Sequence, residues 1–202
     1  VSCDLDGVRK LAERLAPDVL DDIARLVAEV SPAEFEQLAP HLPESRVIAV
    51  ARRPPSGASR LRALPSAAPA VLLESPAHSG NIGAVVRVAA GAGAVAVVAT
   101  GRNDPWNPAA IRGSAGLHFA LPVLHGESWD ATGRMLIAVD PEGADLLPGT
   151  IPDNALLAFG SERSGLSPEL RRHAALCFRI PMEPKVSSLN LATAAAIMVY
   201  SW

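Results

Sequence analysis

The chain has 202 residues, 49% of them hydrophobic, and a formal net charge of -3, so it holds enough apolar material for a sizeable core. No stretch reaches the roughly 18 uninterrupted apolar residues of a membrane helix, and the acidic start lacks the pattern of a secretory signal, which predicts a cytoplasmic protein. Cys3 and Cys177 lie far apart, with neither a CxxC pair nor histidines at ligand spacing, which argues against a disulfide framework and predicts no bound metal.

Residues 1–51 read as a small helical unit built from GVRKLAERL, DVLDDIARLVAEV and SPAEFEQLAPHL. In the last of these Ser31 can cap, Pro32 suits the first helical position, and Glu34 can close a capping box. Residues 1–45 carry ten acids against four bases, a balance of -6, which leaves the remainder mildly basic at +3. Residues 52–69 are rich in proline, serine and arginine and read as a linker that sustains neither a helix nor a central strand. Arg46, Arg52, Arg53, Arg60 and Arg62 crowd into 17 residues without an acid, either as a solvated linker or as contacts for phosphate.

From residue 70 to 202 the pattern changes. The apolar runs AVLLES, AVAVVAT, MLIAVD, ALLAFG and LCFRIP alternate with NIGAVVRVAAGAG, DPWNPAAIRGSAG and SPELRRHAA. Short continuous apolar strands separated by helices predict an α/β domain, a parallel sheet with helices on both faces. Ligands of such sheets collect at the carboxyl ends of the strands. Three loops there, SPAHSGN, GSERSGLS and PMEPKVSSLN, each lead into a helix start whose free amides favour polar or anionic ligands.

In the first loop, Gly83 lets the backbone approach a neighbour closely, and Arg87 shares its helical face at i, i+4, lying over the glycine and pointing back toward the loop. A lone helical arginine ordinarily faces solvent, but Val85, Val86, Val88, Ala89 and Ala90 surround this one. Glu162, bracketed by Gly160 and Gly165 after a buried strand, is either a surface acid or the anchor of a second loop or cationic ligand. Ser187 or Ser188 reads as the cap of the last helix. Asn190, one turn into that helix, must find polar partners.

The segments NIGAVVR, LLAFGSERSGLS and FRIPMEPKVSSLNLATAAAI resemble, in order and spacing, the three signature segments of the SpoU or TrmH family within the SPOUT class of RNA methyltransferases. The resemblance covers about residues 70 to 202. It implies transfer of a methyl group from S-adenosylmethionine to a ribose 2'-hydroxyl of tRNA or rRNA, a C-terminal trefoil knot holding the cofactor, and a homodimer with both sites near the interface. Carried over residue by residue, Gly160 borders the cofactor, Ile180 and Leu189 hold the adenine, and Phe159, Met182 and Ser188 complete the cofactor site. Arg87, Asn81, Glu162, Ser188 and Asn190 match the polar positions around the transfer point. A guanidinium hardly ever gives up its proton, so Arg87 reads as a phosphate clamp that eases alkoxide formation, with a phosphate oxygen or Ser188 carrying the proton. Asn107, Arg112 and Ser114 fit the family's middle region as candidate RNA contacts, or equally a capped structural helix.

The acidic helical unit departs from the N-terminal RNA-binding domains or basic extensions of many relatives, so no substrate carries over from it. Two rival readings stand beside this one. The first is a non-catalytic RNA-binding or dimerisation module that keeps the knot. The second is a dinucleotide-binding oxidoreductase suggested by GAGA, although Gly91 and Gly93 fall at a helix end instead of between a strand and a helix.

Overall fold

The structure, a computed structural model, describes residues 1–39, 41–55, 57–126, 128–129, 133–186 and 188–202, apart from the side chains of Ala58 and Ser59. The chain forms two compact units, Val1–Arg53 and Pro54–Trp202.

In the first unit, α1 (Leu5–Leu15) starts where the Asp4 carboxylate accepts the Gly7 amide at 2.9 Å. The stretch DVLDDIARLVAEV yields a shorter helix than its periodicity predicts: a single 3-10 turn over Pro17–Val19 precedes α2 (Leu20–Leu26). The chain is extended again at Val27, and Glu29 bridges to Ser2, so pairing with the amino terminus wins over helix propagation. The capping box forms at α3 (Pro32–Gln37), where the Ser31 hydroxyl accepts the Glu34 amide at 3.3 Å and Glu34 accepts the Ser31 amide at 2.8 Å.

The second unit is built on six parallel strands: β1 (Ala70–Leu73), β2 (Ala96–Thr100), β3 (Val123–Gly126), β4 (Met135–Asp145), β5 (Ala155–Phe159) and β6 (Leu176–Arg179). Their order across the sheet is β3-β2-β1-β5-β4-β6. Alternate residues serve opposite faces: Val71 and Leu73 enter one core, Ala70 and Leu72 the other. The first face is covered by α4 (Ser79–Gly91), α5 (Pro108–Gly113) and α7 (Leu191–Tyr200), which contribute Ile82, Val86, Ala110 and Met198. The second is covered by α6 (Pro168–His173), with Leu166 and Leu170, and by Leu61. Burial on both faces is why these strands read as unbroken apolar runs.

Three details differ from the sequence expectations. Residues 52–69, read as a linker that sustains no helix, contain a 3-10 turn over Ala58–Ala63, and its Leu61 is buried in the second core. A 3-10 turn needs only i to i+3 bonds, so it can begin directly after the proline-rich stretch. β3, whose four residues follow Pro122 at the sheet edge, escaped notice because so short a run carries little periodicity. β4 extends five residues beyond MLIAVD through a register shift between Val139 and Ala144. Gly143 permits this irregularity, since a Cβ there would lie 2.6 Å from the Phe178 carbonyl carbon.

Candidate functional site

The adjacent strands β1 and β5 pair in parallel, yet the helices that follow them leave on opposite faces, α4 toward one core and α6 toward the other. Their loops diverge, and a crevice opens between them at the carboxyl end of the sheet. Polar side chains bridge it. Glu162, from the loop after β5, accepts the Asn81 side-chain amide at 2.6 Å and the Ala77 backbone amide at 2.7 Å. Asn190, from the loop before α7, donates to the Asn81 oxygen at 3.2 Å. Three segments far apart in the chain are thus joined by one run of bonds.

Partial burial pushes the Glu162 carboxyl up, but the Asn81 and Ala77 bonds outweigh it and hold the group below its ordinary range. The loop carrying it is closed on itself: the Ser161 amide reaches the Gly165 carbonyl at 3.1 Å and the Gly165 amide returns to Ser161 at 2.9 Å. Only glycine fits at 160, where a Cβ would sit 1.9 Å from the Gly165 carbonyl carbon. On the other side, Glu74 accepts the Ser167 hydroxyl at 2.6 Å and its amide at 2.7 Å, fixing the end of β1 to the start of α6.

Beside this network lies a cavity of about 590 Å³. Phe159, Gly160, Ile180, Met182, Ser188 and Leu189, the residues expected around a cofactor, all line it, and Glu162 and Asn190 stand at its polar side. Val139, Leu191 and Ala194 add apolar wall.

Arg87 is not among these residues. It is exposed on α4, outside the cavity lining, and within one chain it does not join Ser188 or Asn190. The backbone of α5 covers Gly83: a Cβ there would stand 2.2 Å from the Ala110 carbonyl oxygen. The glycine therefore serves a helix crossing. Asn190 is also placed differently from expectation, as the N-cap of α7 and not one turn inside it; its side chain accepts the Ala192 amide at 2.9 Å. Asn190 thereby takes the capping role expected of Ser187 or Ser188; Ser188 is exposed on the cavity wall, and Ser187 lies outside the described residues.

In the middle region, Asn107 caps α5 by accepting the Ala109 amide at 2.9 Å, and Ser114 is buried, donating to the Ile111 carbonyl at 2.8 Å and bonding His118 at 2.6 Å. Those two are occupied structurally, while Arg112 is exposed. Of the arginine run, Arg62 lies against Gly133, just before β4 begins, at the amino end of the sheet and away from the cavity. Gly91 and Gly93 sit at the carboxyl end of α4, where no dinucleotide fingerprint can operate.

Sequence reasoning missed Asp140, which is nearly buried at the cavity, receives the Glu142 amide at 3.1 Å and faces Arg171 at 3.5 Å. The sharp Asp-Pro-Glu-Gly end of β4 was its available signal. It also missed Asn103, whose side chain donates to the Pro76 carbonyl at 2.7 Å and steadies the loop before α4. Among the described residues no group of acidic, histidine or cysteine side chains could hold a metal ion, and no helix is long and apolar enough to cross a membrane.

The chain is 33% identical over 144 residues to the 23S rRNA (uridine(2479)-2'-O)-methyltransferase of Streptomyces viridochromogenes, covering 64% of this chain and 50% of that protein. It is 33% identical over 166 residues to the 23S rRNA (adenosine(1067)-2'-O)-methyltransferase of Streptomyces laurentii, covering 77% of this chain and 61% of that one. The chain thus spans about half the length of the first of these. Among solved structures, the SpoU methyltransferase AviRb from Streptomyces viridochromogenes superposes with a TM-score of 0.74 at 28% identity, covering 90% of this chain and 75% of that one. The AdoMet-bound rRNA methyltransferase from Sinorhizobium meliloti gives a TM-score of 0.63 at 31% identity, over 70% of this chain and 58% of that one. The loops that bond across the crevice, and the cavity beside them, all fall within residues 68–200, the stretch that matches the SpoU rRNA Methylase family, and the chain belongs to that family.

Proposed function

We propose that this chain transfers a methyl group from S-adenosylmethionine to a ribose 2'-hydroxyl of rRNA or tRNA, as a cytoplasmic homodimer. The observation that carries the reading is the bond run from Glu162 through Asn81 to Asn190, set beside a cavity of suitable size within the family-matching stretch. The relatives named for 2'-O-methylation and the AdoMet-bound neighbour support it. The cavity fits such a cofactor: apolar Val139, Phe159, Ile180 and Leu189 suit an adenine, and the carboxylates of Asp140 and Glu162 suit a ligand bearing positive charge. When bound, S-adenosylmethionine supplies a methyl group activated on a sulfonium.

The protein's own contribution is position and charge. Ile180 and Leu189 hold the adenine through their backbones, Gly160 lets the ligand approach, and Phe159, Met182 and Ser188 close around it. In this reading the segment from β6 through α7 forms the trefoil knot. Asn81 and Asn190, oriented by Glu162, hold the ribose so that its 2'-oxygen is presented in a reactive pose. Ser188, exposed on the wall, or a phosphate oxygen takes the proton. Arg87, exposed on α4 and outside its own cavity, reaches the active site of a second copy, where it clamps phosphate and stabilises the developing alkoxide.

Incubation with methyl-labelled S-adenosylmethionine and deproteinised rRNA or tRNA, followed by mass-spectrometric mapping, tests this directly. Label on ribose 2'-oxygens is expected. No incorporation into either RNA, with RNA binding retained, overturns the reading in favour of a non-catalytic module. Arg87→Ala is expected to lower turnover by about 10²-fold or more while S-adenosylmethionine binding is kept; equal loss of both removes the clamp role.

A further inference from the structure

We propose that Arg163 is a substrate-binding residue that grips the RNA phosphate beside the ribose to be methylated; this rests on the methyltransferase reading above. Arg163 lines the cavity and is exposed to solvent. Two arginines line that cavity, and they differ in what they face. Arg179 is committed to Asp145, its Nε donating at 2.6 Å, whereas Arg163 makes no ion pair among the described residues. One positive charge of the lining is therefore left for an external anion.

The loop holds that charge in a defined place. Ser161 and Gly165 exchange both backbone bonds, and the Ser161 and Ser164 hydroxyls meet at 2.7 Å, so Arg163 rides on a pinned turn that loses little freedom when a ligand arrives. Its chain neighbour Glu162 is the group that orients Asn81 and, through it, Asn190. A ribose presented to those two side chains carries its 3'-phosphate on the carbon adjacent to the 2'-hydroxyl. Arg163, next in the chain to the Glu162 that orients those side chains, is the exposed cation of the lining left to meet that phosphate, and the planar fork of a guanidinium matches two of its oxygens. The competing anion is the cofactor's carboxylate. The exposure of Arg163, where Val139 and Phe159 are half-buried and buried, favours the incoming strand.

The full chain, Arg163→Ala and Arg163→Lys are compared in binding a fluorescein-labelled single-stranded RNA of mixed sequence across a salt series, with calorimetric titration of S-adenosylmethionine alongside. Arg163→Ala is expected to reduce the slope of log K against log salt by about 0.7, the contribution of one phosphate on a single strand. It should raise the KM for RNA and leave S-adenosylmethionine affinity within twofold, while Arg163→Lys keeps the slope because it keeps the charge. An unchanged slope in Arg163→Ala overturns the proposal. So does a several-fold loss of S-adenosylmethionine affinity with the slope intact, which assigns Arg163 to the cofactor's carboxylate. If the unaltered chain methylates neither rRNA nor tRNA, the methyltransferase reading fails, and the slope still decides whether Arg163 meets phosphate.

Discussion

Glu162 is the residue on which closure of the crevice depends, because one of its oxygens holds Asn81 and the other the backbone at Ala77. Glu162→Gln turns an amide toward two donors and leaves one bond impossible, so turnover should fall at least tenfold while the core stays folded, read as a single cooperative unfolding transition with a modestly lowered Tm. The same carboxyl carries a pH signature. Its folded pKa lies below the ordinary 4.5, so its stabilising contribution is fully present above that value and is lost as acid protonates the folded state at lower pH. The difference in Tm between the parent and Glu162→Gln should therefore be constant near neutrality and shrink only below about pH 4.5; a difference that persists at full size under strong acid refutes the linkage. Asn190 stood out in the sequence as a polar residue in an apolar helix, Glu162 as an acid directly after a buried strand, and Asn81 through the resemblance of its segment to a family signature. Their mutual bonds did not, since the partners lie 81 and 109 positions apart. Asn190 was misplaced by one turn because the same residue type satisfies a cap and a buried partner equally well on paper.

At the scale of elements, the crossing of α4 and α5 sets where Asn81 stands. Gly83 lies where the two backbones meet, so a methyl group there pushes α5 away. Gly83→Ala is expected to destabilise by about 1–3 kcal/mol in denaturant unfolding and to weaken activity beyond that loss, because Asn81 shifts with its helix. His118 supports the same crossing from beneath, bonding Ser114 and the Pro105 carbonyl while buried. Leu61 tests the second face: Leu61→Ala should cost about 2–5 kcal/mol, whereas a true unstructured linker would register almost nothing. Apolar runs and some helix caps were legible locally, as the capping box of α3 illustrates. The 3-10 turn around Leu61 and strand β3 were not, because tertiary burial, and no local propensity, makes them worth forming.

For the molecule as a whole, parallel strands could be read from continuous hydrophobicity, but their order could not; β5 lying next to β1 is a fact of topology that no window of sequence contains. Placing Arg87 outside its own cavity turns the homodimer into a measurable proposition. Mixed samples of Arg87→Ala and Asn190→Ala, each inactive alone, should recover about a quarter of parent activity, since about half of the dimers pair one variant with the other and each such dimer restores one of its two sites. No recovery on mixing, with exchange verified by mass, rules out a shared site.

The turn that carries Arg62 and the cavity stand at opposite poles of the sheet of the second unit. The Ala58–Ala63 turn with Arg62 is at the pole where strands begin, and the cavity proposed to receive the methyl acceptor is at the pole where they end. A four-residue strand such as β1 separates them by about 13 Å. An RNA that engages both has to run along the flank of the domain over at least that distance. Footprint length, before base identity, becomes the natural first axis along which to sort candidate substrates.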